Sequence, residues 1–258
     1  MSISRMSERI WRKISSLVST RDPYARSWIV GEWPAVIYAV GDIHGRLDLL
    51  RPLEALIVTD AANIGGQKWI VMLGDYVDRG PYSAQVIDHL LGGSPPEFRR
   101  ICIAGNHETA MLRFIDRPTL NSSWLRIGGL ETLASYGLSL AEIRQSRNLW
   151  NLIASHIPSE HIEFLRKLPA GVSVADASFV HSTELIPNEQ YKSAFLGPDR
   201  TIVHGHQVIE KAFSRDKRVN VDTGAYVFGR LTAARMLRSN EVTFLEAVAQ
   251  NPIVSSSI

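Results

Sequence analysis

Gly74-Asp-Tyr-Val-Asp-Arg-Gly80 decides the fold of this chain, because two loops of similar make flank it: Gly41-Asp-Ile-His-Gly45 before and Gly105-Asn-His-Glu108 after. Asp42, Asp75 and Asn106 are spaced by 33 and 31 residues, the length of one strand, its crossover helix and a return strand. Each loop follows a short apolar run: Val36 to Val40, Trp69 to Leu73, and Arg100 to Ile103. Each is followed by a helical pattern: Leu47 to Thr59, Ser83 to Leu91, and Glu108 to Phe114. This rhythm predicts βαβ units, with the three polar residues at one carboxyl edge of a parallel sheet, where open α/β sheets bind ligands. The glycines let the backbone turn sharply and approach an ion or phosphate closely.

Outward from these loops, helical material continues to about Leu168. Gly171 to His181 and Arg218 to Leu245 then hold short strand-like runs, with turn signals at Val174-Ala-Asp-Ala177 and Arg238-Ser-Asn240, so the sheet should be mixed. Toward the N-terminus, Ile3, Met6, Ile10, Trp11, Ile14, Leu17 and Val18 recur at helical spacing among arginines and a lysine. The expected organisation is an amphipathic basic helix and linker over 1–34, a catalytic domain over 35–250 and a tail over 251–258. The apolar stripe of 3–18 suits packing on the domain or a partner chain, or weak peripheral contact with a membrane.

The 258 residues suffice for one large α/β domain, and 45% hydrophobic with 21% charged residues excludes the disordered and membrane-embedded classes. A formal charge of +2 without a basic cluster predicts no nucleic-acid partner. The single cysteine, Cys102 in Arg100-Ile-Cys-Ile-Ala104, excludes a disulfide framework, predicts a buried strand position and fits a cytoplasmic setting. No run of about 18 apolar residues exists to span a bilayer.

Carboxylate, amide and imidazole donors without a thiolate suit divalent Mn, Fe or Zn. Two ions need more donors than the three loops hold. His181, ending the run Ala177-Ser-Phe-Val180, and His206, in Ile202-Val-His-Gly-His-Gln207, are the candidates; both follow strand-like segments. His89, His156 and His161 lie in helical stretches and are expected at the surface. Cys102 is not set up as a nucleophile, since the loop after it supplies no arginine.

In order and spacing, these motifs and the late Gly205-His206 resemble the phosphoprotein phosphatases of the metallophosphoesterase superfamily. The likeness covers roughly Val36 to Phe244 and includes Trp124-Leu-Arg-Ile-Gly-Gly-Leu-Glu-Thr-Leu133 and Asn220-Val-Asp-Thr-Gly-Ala225, similar to the bacterial and phage branch. The resemblance implies an α/β fold, a four-layer αββα sandwich with two mixed β-sheets. It implies two divalent metal ions, Mn2+ first with Fe and Zn as alternatives: Asp42 and His44 on the first, Asp75 bridging, and Asn106, His181 and His206 completing the second. It also makes His107 the general acid. Asp78 would orient and charge that imidazole, and Arg79 would clamp phosphoryl oxygens. Such a metal pair, about 3.5 to 4 Å apart, can present a bridging hydroxide to phosphorus without a protein nucleophile.

The sequence departs from the pattern in one interval. Only 24 residues separate His181 from His206, Ser182-Thr183 replace the usual small pair, and the second phosphate-binding arginine of the family is missing from 182–199. Arg200 is the arginine left there, ahead of the strand that leads to His206, and His204 reads as a strand-end histidine. Three functions stay open: a serine/threonine protein phosphatase as the leading reading, a dinucleoside polyphosphate hydrolase, and a metal-binding regulatory protein with reduced turnover. The partner is then a phosphorylated protein or a small phosphoester.

Overall fold

The structure, a computed structural model, describes residues 28–249 apart from 185, 187, 188 and 240. The helix expected over 3–18 and the tail 251–258 lie outside the described residues. Strand β2 (Val36–Val40) is buried along its whole length, and a strand buried on both faces needs a layer on each side. Val36, Tyr38 and Val40 enter a core shared with helices, whereas Ile37 and Ala39 enter a second core shared with another sheet. Strand β3 (Lys68–Met72) divides likewise, Ile70 and Met72 facing helices, Trp69 and Val71 facing the second sheet.

These strands form the centre of a five-stranded sheet with β4 (Phe98–Cys102), β10 (Arg230–Met236) and β11 (Val242–Val248), in the order β11-β10-β2-β3-β4. β2, β3 and β4 run parallel, with Val40 beside Met72 and Met72 beside Cys102; β10 is antiparallel to both β2 and β11. The crossovers are α1 (Leu47–Asp60) and α2 (Ser83–Leu91), and α3 (Asn106–Asp116) leaves the end of β4. Helical material then continues as α4 (Gly129–Ser135), α5 (Leu140–Gln145), α6 (Leu149–Ala154) and α7 (Ser159–Lys167). α5 opens on a reciprocal cap, Glu142 N donating to Ser139 Oγ at 3.2 Å and Ser139 N to Glu142 Oε2 at 2.8 Å.

The second sheet has six strands: β1 (Trp28–Gly31), β5 (Gly171–Val174), β6 (Ala177–Val180), β7 (Thr201–His204), β8 (Phe213–Arg215) and β9 (Arg218–Asn220), in the order β1-β5-β6-β7-β9-β8. β6, β7 and β9 run parallel. Its inner face contributes Val172, Val174, Phe179, Val203 and Val219 to the core between the sheets; its outer face packs with Phe195 of α8 (Glu189–Phe195). Helices, sheet, sheet, helix: the four-layer αββα sandwich expected from the sequence is present, with both sheets mixed.

Three details differ from expectation. β1 lies within 1–34, the range read as helix and linker, because its backbone pairs in parallel with β5, Trp28 opposite Gly171 through Gly31 opposite Val174. His161, expected at the surface, is buried, its Nε2 2.9 Å from Asp88 Oδ1 and its Nδ1 2.8 Å from the Tyr136 hydroxyl. Cys102 is half-buried rather than buried, and desolvation pushes its thiol up to about 12. No described helix is long and apolar enough to cross a membrane.

Candidate active site

The parallel strands of both sheets deliver polar residues to one edge. Asp42 follows β2, Asp75 follows β3 and Asn106 follows β4; His181 follows β6 and His206 follows β7. His44, Asp75, Asp78, Arg79 and His206 all have left-handed backbone, φ between 44° and 74°. Each such non-glycine residue costs about 1–3 kcal/mol unless its surroundings fix it. Glu108 does part of that fixing: buried at the start of α3, its Oε2 accepts from Asp75 N at 2.9 Å and Gly105 N at 2.8 Å, and its Oε1 from Tyr76 N at 2.7 Å. Two glycines are required by close approach. A Cβ on Gly105 would stand 2.0 Å from Asp75 Oδ1, and one on Gly205 2.0 Å from Asp42 Oδ1.

Asp75 is shared between two groups whose potential ligand atoms lie within 4.8 Å of one another: His44, Asp75 and His107, and Asp75, His181 and His206. In the second group, His181 Nδ1 is 3.0 Å from Leu73 O, which leaves Nε2 pointing inward. Around Nε2 stand Asn106 Oδ1 at 2.8 Å, His206 Nδ1 at 3.1 Å and Asp75 Oδ2 at 3.3 Å. Burial opposes a charge on His181, but Asp75 and Asp42 override it and raise its pKa to about 10. Desolvation and the charge on His181 lower the pKa of His206.

In the first group, His44 Nδ1 faces Val77 O at 2.8 Å, so Nε2 carries the lone pair, 3.6 Å from Asp75 Oδ2. Desolvation lowers its pKa to about 3. Asp42 lies outside both groups. Its carboxylate accepts from His206 N at 3.1 Å and sits 3.8 Å from His181 Nδ1. Burial and the charges of Asp222 and Asp75 push Asp42 far above the usual carboxylate range, and burial pushes Asp222 up to about 6. Buried carboxylates crowd together here beside the ring nitrogens of His44, His181 and His206, and divalent ions would offset their charge while displacing the His181 proton. The donor set therefore fits a metal pair. Asp222, two residues past β9 on the same edge, was used in the sequence only for its likeness to a family motif, although an acidic residue just beyond a parallel strand was a readable signal.

Beside this cluster, His107 Nδ1 lies 2.5 Å from Asp78 Oδ2. Asp78 is fully buried and receives two further bonds, from Trp124 Nε1 at 2.8 Å and Thr132 Oγ1 at 2.7 Å. Burial disfavours the imidazolium, yet the hydrogen bond that His107 donates to Asp78 and the charges of Asp75 and Asp78 raise the His107 pKa above its ordinary value. Trp124 and Thr132 carried no role in the sequence; nothing local marks a tryptophan and a threonine as the supports of a carboxylate some fifty residues earlier.

Arg79 Nη1 donates to His44 Nε2 at 3.0 Å. Arg200, by contrast, is turned away from the site: it donates to Ser178 Oγ at 3.0 Å, Ser173 Oγ at 2.6 Å and Ala177 O at 2.9 Å, at the opposite end of the strands. His204 ends β7 with its Nδ1 3.0 Å from Gly205 O and belongs to neither group.

Known proteins resemble this chain. The chain is 24% identical over 241 residues to the asymmetrical bis(5'-nucleosyl)-tetraphosphatase PrpE of Halalkalibacterium halodurans, covering 84% of this chain and 95% of that one. It is 26% identical over 215 residues to serine/threonine-protein phosphatase 2 of Escherichia coli K12, covering 76% of this chain and 90% of that one. Among solved structures, a crystallised candidate diadenosine tetraphosphatase superposes with a TM-score of 0.56 at 17% identity, over 88% of this chain and all of that one, a likeness of fold. Residues 35–245 match the calcineurin-like phosphoesterase family, and since that span holds the whole polar edge and both sheets apart from β1 and the end of β11, the chain belongs to the calcineurin-like phosphoesterases.

Proposed function

We propose that this metallophosphoesterase removes phosphate from phosphoserine and phosphothreonine in proteins. Asp42, His44, Asp75, Asn106, His181 and His206 would hold a pair of divalent ions, with Asp75 common to both and Mn2+ the ion we expect from the mixed oxygen and nitrogen donors. When bound, such a pair lowers the pKa of a shared water and neutralises phosphoryl charge. Arg79 binds and orients the phosphoryl oxygens through its planar fork. His107 holds a proton on Nε2, the nitrogen not engaged by Asp78, and gives it to the departing oxygen.

The observation that carries this reading is the His107–Asp78 pair with its supports, Trp124 and Thr132. A serine or threonine alkoxide is a poor leaving group and needs protonation, whereas a nucleotide leaving as a phosphate anion needs little. A buried, charged and oriented acid suits the former substrate. Similarity to nucleosyl-tetraphosphatases supports a second reading, hydrolysis of dinucleoside polyphosphates. The test is turnover of a small aryl phosphate with added Mn2+, followed by competition between a phosphopeptide and a dinucleoside tetraphosphate. Preference for the phosphopeptide is expected. Preference for the dinucleotide selects the second reading, and bound Mn2+ without turnover selects a regulatory protein. A chelator should abolish activity while Cys102→Ser leaves it intact.

A further inference from the structure

Arg79 is held in two ways. Its Nη1 donates to His44 Nε2 at 3.0 Å, and its guanidinium lies 4.3 Å from the centre of the Tyr226 ring. The first contact cannot outlast an ion on His44, because that nitrogen has one lone pair. The second contact needs nothing from His44. Tyr226 also stands edge-on to His44, ring centres 5.1 Å apart, so its ring touches both the proposed ligand and the arginine.

The backbone under Tyr226 is fixed. The turn α9 (Ala225–Phe228) lies between Gly224 and Gly229, both left-handed, with φ of 68° and 62°. Buried Arg46 donates through Nη1 to Ala225 O at 2.6 Å, and Asp48 accepts from its Nε at 2.8 Å and its Nη2 at 2.7 Å. A ring so anchored can hold a cation in one pose.

We infer that Tyr226 is a positioning residue: the face of its ring fixes Arg79 at the site, supplying by rigidity part of what a second phosphate-binding arginine would supply. The inference rests on the role proposed above for Arg79. A cation over a tyrosine face contributes enough to change binding by about three- to thirtyfold.

Titration of inorganic phosphate into the Mn2+-loaded full chain by calorimetry tests it. Tyr226→Phe keeps the ring face and should bind phosphate as the natural chain does. Tyr226→Leu keeps bulk without a π-face and should bind about three- to thirtyfold more weakly, with Mn2+ content unchanged. In an Arg79→Ala background, Tyr226→Leu should add nothing further. Tyr226→Met serves the same purpose if the leucine variant does not fold. Natural affinity in Tyr226→Leu alongside weakened binding in Arg79→Ala overturns the role of Tyr226 and leaves that of Arg79 standing. Unchanged binding in Arg79→Ala overturns both. Equal losses in the phenylalanine and leucine variants, additive losses in the double variant, or loss of Mn2+ would each show that Tyr226 acts by another route.

Discussion

The two sides of the active site are built differently. On one side, the loops after β2, β3 and β4 are bound to each other by backbone contacts: His44 N donates to Asp75 O at 2.8 Å, Gly45 N to Tyr76 O at 2.8 Å, and Glu108 takes the amides of Asp75, Tyr76 and Gly105. On the other, β6 and β7 end in imidazoles: His181 is buried against Leu73 O, while His206 is half-buried. One side fixes the shared carboxylate through its backbone; the other adds side chains at strand ends. Damage to the first should therefore disturb both metal positions, and damage to the second only one.

The sharpest break in that contrast comes from Asp75→Asn, which weakens a group common to both clusters and should abolish turnover and empty both positions. His206→Ala should instead leave about one ion per chain, since only one cluster loses a donor. Elemental analysis of the two variants decides, and equal metal loss would end the proposed asymmetry.

His107→Asn follows in size. Turnover of an alkyl phosphate should fall by about 10²- to 10⁴-fold and that of an activated aryl phosphate far less, with metal content near natural. Equal losses on both substrates, together with lost metal, would make His107 a ligand. The same residue sets a pH dependence. Its pKa is raised chiefly by Asp78 and Asp75 against the cost of burial, so the protonated acid persists above the ordinary imidazole range and kcat for the alkyl substrate should decline only on the alkaline side. Asp78→Asn removes the charge that favours the proton and should move that decline to lower pH. A limb that stays in place would separate it from His107.

A stability measurement sharpens the comparison further. Glu108→Ala leaves three amides without their acceptor, at about 1–3 kcal/mol for each buried group left unsatisfied, so urea unfolding of the metal-free chain should show a loss of at least about 3 kcal/mol. A loss under about 1 kcal/mol, the value of one ordinary hydrogen bond, would mean water replaces the carboxylate. Smallest of all should be Arg200→Ala: its three bonds lie at the far end of the strands, so phosphate affinity should hold within about twofold, well below the tenfold that 1.4 kcal/mol gives. A drop matching that of Arg79→Ala would place Arg200 at the site after all.

How much of this could be read from residues alone follows the same division. The first side announces itself because left-handed turns demand glycine beside the polar residues, as at Gly45 after His44 and Gly74 before Asp75; those constraints are local and leave a motif. The four-layer fold was accessible through the family likeness, and the βαβ rhythm through alternation and spacing. β1 and β8 escaped because Trp28–Gly31 falls in the range read as helix and linker, and Phe213–Arg215 is exposed along its length rather than an apolar run; their pairing partners decide them. His161 misled for a related reason. Its neighbours Glu160 and Glu163 suggest an exposed stretch of helix, but Asp88 of α2 and Tyr136, just past α4, hydrogen-bond to its ring. Trp124 and Thr132 likewise become meaningful only once α4 and the turn before it dock beside Asp78.

β1 gives the molecule a boundary that the chemistry does not need. A chain begun at Ala35 would keep every residue of the polar edge, yet Gly171-Val-Ser-Val174 would lose the strand that now covers it, and Phe195 would lose the indole of Trp28 stacked 4.2 Å away. β1 is the edge strand of its sheet, so β5 would take its place there, and an open strand edge is a template on which further copies can add, strand upon strand. The shortest version able to turn over substrate and the shortest version that keeps the six-stranded sheet would then differ by the few residues of β1.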